Sequence, residues 1–378
     1  MAAPVLSPSR AALLTGKVPQ RAGLTGNAGS RPGVHGMPSE QTTMGEVFAD
    51  AGYYTSHVGK WHLGYRPETM PRGQGFASSF GFMGGCIDNY SHFFYWDGPN
   101  RHDLWRDGEE VWHDGAFFGD LLVAEAVRAM DAAGERPFFM YVAINLPHYP
   151  LQGVEKWREV YAHRPSPRDK YAAAVSTADE QIGAIVAALD ERGLREETII
   201  IFMSDHGHSV EERTFGGGGS AGPYRGAKFS LFKGGIRVPA IISWPGQLPA
   251  GEVRDQFATA VDWLPTVAEL CEIDAPDDLD GRSLAKLIRL PDEPSPHAEF
   301  HWQCGDRWAA REGDWKLRHE PIDPTTSEPI ETVGSLFLVD LSADPGEREN
   351  LASRRPEVVQ RLKDLHDRWV ARGRRVTP

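Results

Sequence analysis

Three cysteines is a sparse supply for 378 residues, and Cys86, Cys271 and Cys304 stand far apart, with neither the close pairing of a zinc site nor a disulfide framework. Long apolar runs are also missing. None approaches the roughly 18 residues of a membrane span, and the ten residues ahead of the first expected helix are too few for a secretory leader. Basic side chains are the minority charge, 40 Lys and Arg against 53 Asp and Glu, and the resulting net charge of −13 works against general affinity for nucleic acid or anionic membranes. Any anionic ligand must therefore be caught by a local cluster of cations. What the chain has is a 40% hydrophobic, 25% charged composition, enough for one large domain and a smaller one.

Apolar runs bounded by turn residues recur at 53–59, 137–144, 198–205 and 238–245. Helical patterns lie between them, clearest at 118–134 and at 171–193, where Gly193 supplies the stop. The alternation predicts an α/β fold, a doubly wound, mostly parallel sheet flanked by helices. Such sheets hold ligands at the carboxyl ends of their strands. The runs end in KWHLG, NLPHYPL and SDHG, and RGAKFSLFKGG comes shortly before the last, each carrying a charged or histidine side chain. The glycine-dense 215–226 reads as a mobile loop beside the site. The proline-rich LPDEPSP at 290–296 divides a domain of residues 1–293 from a small α+β domain of 294–378, with a short antiparallel sheet and a terminal helix.

The opening stretch APVLSPSRAALLTGK, residues 3–17, is a turn feeding a helix, with Arg10 adding a fixed charge at its start. Free N–H groups and an arginine fork make a site for a tetrahedral anion. Taken singly, Lys60 or Lys228 would be a solvated surface lysine, His62 or His148 a satisfied loop or core histidine, and Asp205 often a helix cap. Their joint occurrence at four strand ends favours a site. The loop at 86–105, rich in aromatics and histidine, suits carbohydrate stacking and a packed structural loop equally. Trp302, Trp308 and the loop around Tyr224 are candidates for shaping a pocket.

The stretches SPSRAALLTGK (7–17), GYYTSHVGKWHLG (52–64), LPHYPL (146–151), SDHG (204–207), GAKFSLFKGGIRVPAIISWPG (226–246) and EGDWKL (312–317), in this order, resemble the type I sulfatases of the alkaline phosphatase superfamily. The resemblance spans nearly the whole chain. It implies hydrolysis of sulfate esters of carbohydrates or aryl alcohols, with a sulfated small molecule or glycan as ligand and Ca2+ as cofactor. Carried over by position, Arg10 orients the nucleophile, Lys60 and Lys228 hold sulfate oxygens, His62 lies near the nucleophile, His148 assists the leaving oxygen, and Asp205 and His206 reach the calcium ion. Cations aimed at a bridging oxygen that gains negative charge stabilise the transition state of sulfur–oxygen cleavage.

Two departures from that pattern bear on activity. The family's nucleophile, a cysteine or serine converted to formylglycine two residues before the proline, falls on Leu6, which has no heteroatom to oxidise. Ser7 stands one place along, and on an extended segment its side chain points the other way. The family also begins with a strand ending in paired aspartates, and nine residues precede Arg10 here. The expectation is a truncated N-terminus, a calcium site reduced to Asp205 and His206, and unpaired backbone along Ile199–Met203. A chain of this kind is expected to be impaired or inactive as a hydrolase. Two other readings stay open: a non-catalytic sulfated-glycan binder or truncated gene product, and a phosphodiester or phosphonate hydrolase of the same superfamily, with Ser7 as its nucleophile.

Overall fold

A computed structural model describes residues 1–96 and 98–374. Its first helix, α1 (Leu6–Thr15), starts earlier than the turn chemistry suggested, because Pro8 falls in the first turn, where no backbone donor is needed. Gly16 ends it in the left-handed region, φ 64°, donating its N–H to the Ala12 carbonyl at 3.0 Å. The short α2 (Pro19–Ala22) and α3 (Met44–Asp50) follow, the latter held by a capping box between Thr43 and Glu46.

At the centre of the main sheet lies β1 (Tyr54–Lys60), buried from Thr55 onward. It pairs in parallel with β2 (Ser78–Phe82) on one side and β7 (Phe138–Ala143) on the other, in the registers Lys60↔Phe82 and Gly59↔Ala143. The backbones approach closely at the carboxyl end. A Cβ on Gly59, φ 117°, would meet the Ala143 carbonyl oxygen at 2.2 Å, so only glycine fits immediately before Lys60. Two short strands, β5 (Trp105–Arg106) and β6 (Glu109–Glu110), extend the other edge antiparallel, giving the order β6-β5-β2-β1-β7. A hairpin of β3 (Phe93–Phe94) and β4 (Arg101–His102) stands apart.

Helices cover both faces. On one side α4 (Phe118–Ala133) and the 24-residue α6 (Arg168–Glu191), preceded by α5 (Glu155–Tyr161), pack over Val58, Phe80, Phe82, Phe138 and Met140. On the other, α1, α3 and α8 (Trp263–Leu270) pack with Trp61, Phe139, Tyr141 and Ile201. This is the flanked α/β sheet that the alternating pattern predicts, but mixed rather than mostly parallel. The runs at 198–205 and 238–245 form β8 (Ile200–Met203) and β9 (Ala240–Ser243), which pair with each other antiparallel and with no other strand among the described residues. The physical reason is the connection between them. Its only α-helix is the four-residue α7 (Lys233–Ile236), too short to carry the chain back as a parallel crossover.

Ile200 shares the α4/α6 layer with Phe138 and Met140, while Ile201 shares the opposite layer with Phe139 and Tyr141. Thus β7 and β8 lie in one stratum, yet each has an edge with no strand partner among the described residues. Consequently β7 is only half-buried over Phe138–Val142, and Phe202 and Ile241 are exposed.

After α9 (Ala285–Arg289) the chain forms an antiparallel sheet of β10 (Glu299–Cys304), β11 (Arg307–Glu312), β12 (Trp315–His319) and β13 (Leu336–Asp340), then α10 (Pro356–Arg374). Val358, Leu362 and Leu365 of α10 pack on Trp308, Ala310, Leu317 and Leu338. The other face, with Phe300, Trp302 and Ala309, packs on Ala2, Ala12 and Val18. Trp302 and Trp308 are therefore buried residues of this layer, and the cavity that Trp308 borders, with His319 and His366, lies on the C-terminal sheet and its helix. Trp302 donates its indole N–H to the Met1 carbonyl at 2.8 Å, and Trp308 stacks on His366 at 3.9 Å.

Candidate active site

The carboxyl end of β1 and the start of α1 meet through Arg10. Its Nη1 donates to the Lys60 carbonyl at 2.7 Å and to the Tyr141 hydroxyl at 3.3 Å, and Nη2 donates to Asp205 Oδ2 at 3.3 Å. One guanidinium thus ties together β1, β7 and the segment after β8, across the two unpaired edges. Burial opposes its charge, but the Tyr141 hydroxyl and Asp205 raise its pKa further. Asp205, half-buried, is held far below the usual carboxylate range: burial opposes this, and His206, Arg10 and Lys60 outweigh it.

Lys60 is 1% exposed and donates from Nζ to the Gly85 carbonyl at 2.6 Å. Burial and the neighbouring Arg10 push its pKa well down. His62 sits at φ 56° just past the strand, its Nε2 3.4 Å from Ser30 Oγ, and burial, Lys60 and Arg10 keep it neutral. His148 and His206 share a device. Each places Nδ1 against a backbone carbonyl, that of Tyr149 at 2.8 Å and of Gly207 at 2.7 Å, so Nδ1 carries the proton and Nε2 keeps a lone pair. Burial followed by Lys60 and Lys228 lowers the pKa of His148. Lys228, 3% exposed, donates to Glu211 Oε2 at 2.6 Å, and its backbone N–H bonds the His208 carbonyl at 2.8 Å.

The expected residues Arg10, Lys60, His62, His148, Asp205, His206 and Lys228 are therefore brought into one cluster. Three of its polar atoms, Arg10 Nε, His62 Nδ1 and His206 Nε2, are buried without a partner among the described residues. Glu211 and Tyr141 belong to the same cluster, although no motif marked them, as does Tyr149, which lies within LPHYPL but carried no role of its own. Tyr141 is hidden inside an apolar strand, and Glu211 lies 17 positions before Lys228 in a loop without periodicity.

Leu6 is buried at the first position of α1, and Ser7 follows within the helix rather than on an extended segment. Successive helical side chains are turned by about 100°, not reversed. Ser7 is fully buried: its hydroxyl accepts from the Ala28 N–H at 3.0 Å, and its own N–H donates to Asn27 Oδ1 at 3.3 Å. Those bonds fix Ser7 as a loop anchor. For a cation, Asp205 Oδ1 and His206 Nε2 lie 3.7 Å apart, while Asp205 Oδ2 faces Arg10. No group of three or more His, Cys, Asp or Glu able to hold a metal occurs among the described residues. This donor set does not fit an ion that takes six to eight oxygens.

A family model described as Sulfatase matches residues 1–273, and one described as N-sulphoglucosamine sulphohydrolase, C-terminal, matches 227–372. The chain belongs to the sulfatase family. It is 33% identical to human arylsulfatase A over 95% of this chain and 77% of that protein. It is 32% identical to the N-acetylgalactosamine-6-sulfatase of Canis lupus familiaris over 95% and 75%. Among solved structures it resembles Ps i-CgsB, with a TM-score of 0.84 at 26% identity, covering 97% of this chain and 82% of that one. The same protein has been crystallised with k-i-k-neocarrahexaose, and that structure matches at 27% identity.

Proposed function

We propose that this sulfatase-family chain recognises the sulfate group of a sulfated carbohydrate or aryl sulfate and turns it over negligibly. The observation that carries the reading is the convergence of Arg10, Lys60 and Lys228 with unpartnered buried donor and acceptor atoms in one cluster. Arg10 and Lys228 offset Asp205 and Glu211, and a bound monoanion favours the charged form of Lys60, whose pKa burial and Arg10 hold down, so the anion brings its own countercharge into a site of low dielectric. In this arrangement Lys60 and Lys228 hold the sulfate oxygens, Arg10 fixes the helix start against β1, and His148 presents Nε2 to the bridging oxygen. A proton for that oxygen must first be gained by His148, and a bound anion favours its gain by offsetting the two lysines.

Nothing at the helix start attacks sulfur. Leu6 is hydrocarbon, and Ser7 is fully buried with its hydroxyl accepting from the Ala28 N–H. Loss of a covalent nucleophile costs on the order of 10⁶ in turnover in well-studied hydrolases. The second reading, hydrolysis of a phosphodiester with Ser7 attacking, is disfavoured by the full burial of Ser7 and by the Ala28 N–H that occupies a lone pair of its hydroxyl. The test pairs an aryl sulfate assay with calorimetric titration of a sulfated sugar. Binding that weakens about tenfold or more in Lys228→Ala, with turnover near background, is expected. Turnover near that of an ordinary sulfatase would refute the reading, and faster cleavage of a phosphodiester than of the sulfate would favour the second.

A further inference from the structure

One more cation stands at the mouth of the cluster, and its setting is built. Arg213 lies in a single 3-10 turn, Glu212–Thr214, at the entrance to the glycine-rich run. Its guanidinium lies over the ring of Trp96 and 5.3 Å from the centroid of Tyr149, and Nη1 donates to the Tyr149 hydroxyl at 3.1 Å. Trp96 and Tyr149 themselves meet at 5.9 Å between centroids, making an aromatic cradle for the guanidinium plane. Nε faces Glu211 Oε1 at 3.3 Å, and Nη2 has no partner among the described residues. Arg213 therefore keeps donor capacity at Nη2 while the two rings and the Tyr149 hydroxyl hold the guanidinium in place.

The cradle is joined to the sulfate cluster by two routes. Tyr149 follows His148, and their rings are 3.8 Å apart. Lys228 Nζ lies 5.8 Å from the centroid of that same tyrosine, while Glu211 bridges Lys228 and Arg213 through its two oxygens. One tyrosine thus separates the cation of the sulfate cluster from a second, partly exposed cation. Trp96 is 43% exposed, but a cation already lies over its ring, so it serves as the seat of Arg213 rather than as a bare platform for sugar stacking.

We infer that Arg213, seated on Trp96 and Tyr149, is a specificity-determining residue that binds a second anionic group of the same glycan, a carboxylate or another sulfate, beside the ester held by Lys60 and Lys228. The inference rests on the sulfate-recognition reading above. It makes the ligand a polyanionic saccharide rather than a simple monosulfate. With Nη1 and Nε engaged, the guanidinium offers the N–H donors of Nη2 to a carboxylate or sulfate oxygen as charge-assisted hydrogen bonds. Arg213 sits at the rim, so the second anion stays partly hydrated. Its contribution is then a selectivity of about tenfold rather than the whole affinity.

The experiment titrates the full chain by calorimetry with three probes: galactose 6-sulfate, galactose 2,6-disulfate, and a disaccharide of glucuronate linked to 6-sulfated N-acetylgalactosamine. At least one probe with two anions is expected to bind about tenfold tighter than the monosulfate. In Arg213→Gln that advantage disappears while affinity for galactose 6-sulfate stays within about twofold, and this retained affinity also shows that the variant is folded. Arg213→Lys, which keeps the charge but not the fork, recovers only part of it. An advantage confined to the disulfate identifies the second anion as sulfate; one confined to the uronate identifies it as carboxylate. Equal weakening for all three probes in Arg213→Gln, or an unchanged advantage, overturns the assignment. Lys228→Ala separates the two claims: if it abolishes binding of every probe while Arg213→Gln changes none, only the second-anion site fails. If Lys228→Ala changes none, the sulfate pocket fails and this inference with it.

Discussion

Leu6 and His148 set the chemistry from opposite sides. A leucine side chain cannot attack sulfur, whereas His148 has its tautomer fixed by the Tyr149 carbonyl and its Nε2 left available. Burial, Lys60 and Lys228 hold its pKa well down, so in the empty pocket near neutral pH the imidazole is unprotonated. A bound anion favours the charged form and must raise that pKa. Imidazole NMR of the chain with and without a sulfated sugar is expected to show the His148 titration moving to higher pH. By linkage, affinity for the anion strengthens as pH falls. A His148 titration indifferent to saturating ligand would remove the histidine from the pocket. Glu347 acts at the same scale but for stability. It is fully buried and accepts from Lys316 at 3.1 Å, from Arg318, and from the backbone N–H of Lys233. Burial opposes its ionisation, yet Arg318 and Lys316 bring its pKa from 4.5 to about 2. Burial draws Lys316 itself down to about 7, whereas Arg318 keeps its charge at any working pH, so Glu347 always has a cationic partner. Glu347→Gln is expected to cost about 3–5 kcal/mol in chemical unfolding at pH 7. Since the folded pKa is depressed, the gap between wild type and variant is complete above pH 4.5 and closes as pH falls toward about 2.

Among the elements, the segment 225–236 is the one whose position is borrowed. It carries Lys228, yet its only regular structure is α7, and its glycines supply no side chains to pack. Strand β12 and the loop that follows it hold it instead. Lys316 Nζ donates to the Leu231 carbonyl at 2.6 Å, Ser230 Oγ to the Ile322 carbonyl at 2.7 Å, and Arg225 Nε to Asp323 Oδ2 at 2.8 Å. On the far side the Phe229 N–H donates to the Pro4 carbonyl at 3.0 Å, just before α1. The small C-terminal layer therefore contributes to the site through backbone placement rather than by lining it, which is why its tryptophans are core residues.

For the molecule as a whole, the separation of β7 from β8 is the feature with consequences. Two strand edges face the same stratum without pairing, and Arg10 spans them with hydrogen bonds to Tyr141 and Asp205. Backbone donors on such edges are open to water and to other strands. In hydrogen exchange, amides of β1, paired on both sides, are expected among the slowest, with those of Ile200–Met203 markedly faster. Equal protection in β1 and β8 would show that the free edge is covered in solution.

Sequence alone determined the principal elements and most residues of the cluster. Helical periodicity marked α4 and α6, apolar runs marked β1, β7, β8 and β9, the turn before the first helix named Arg10, and the polar endings carried Lys60, His62, His148, Asp205, His206 and Lys228. These signals are local, carried by side-chain spacing and by turn residues, so a single chain displays them. Only the tertiary structure decided that β8 pairs antiparallel with β9, that Ser7 faces Ala28 and Asn27, and that Trp302 and Trp308 lie in the core. It alone also showed Glu211 and Arg213 beside Lys228. Those facts depend on contacts between segments far apart in the chain, where no periodicity reports which neighbour a side chain will meet.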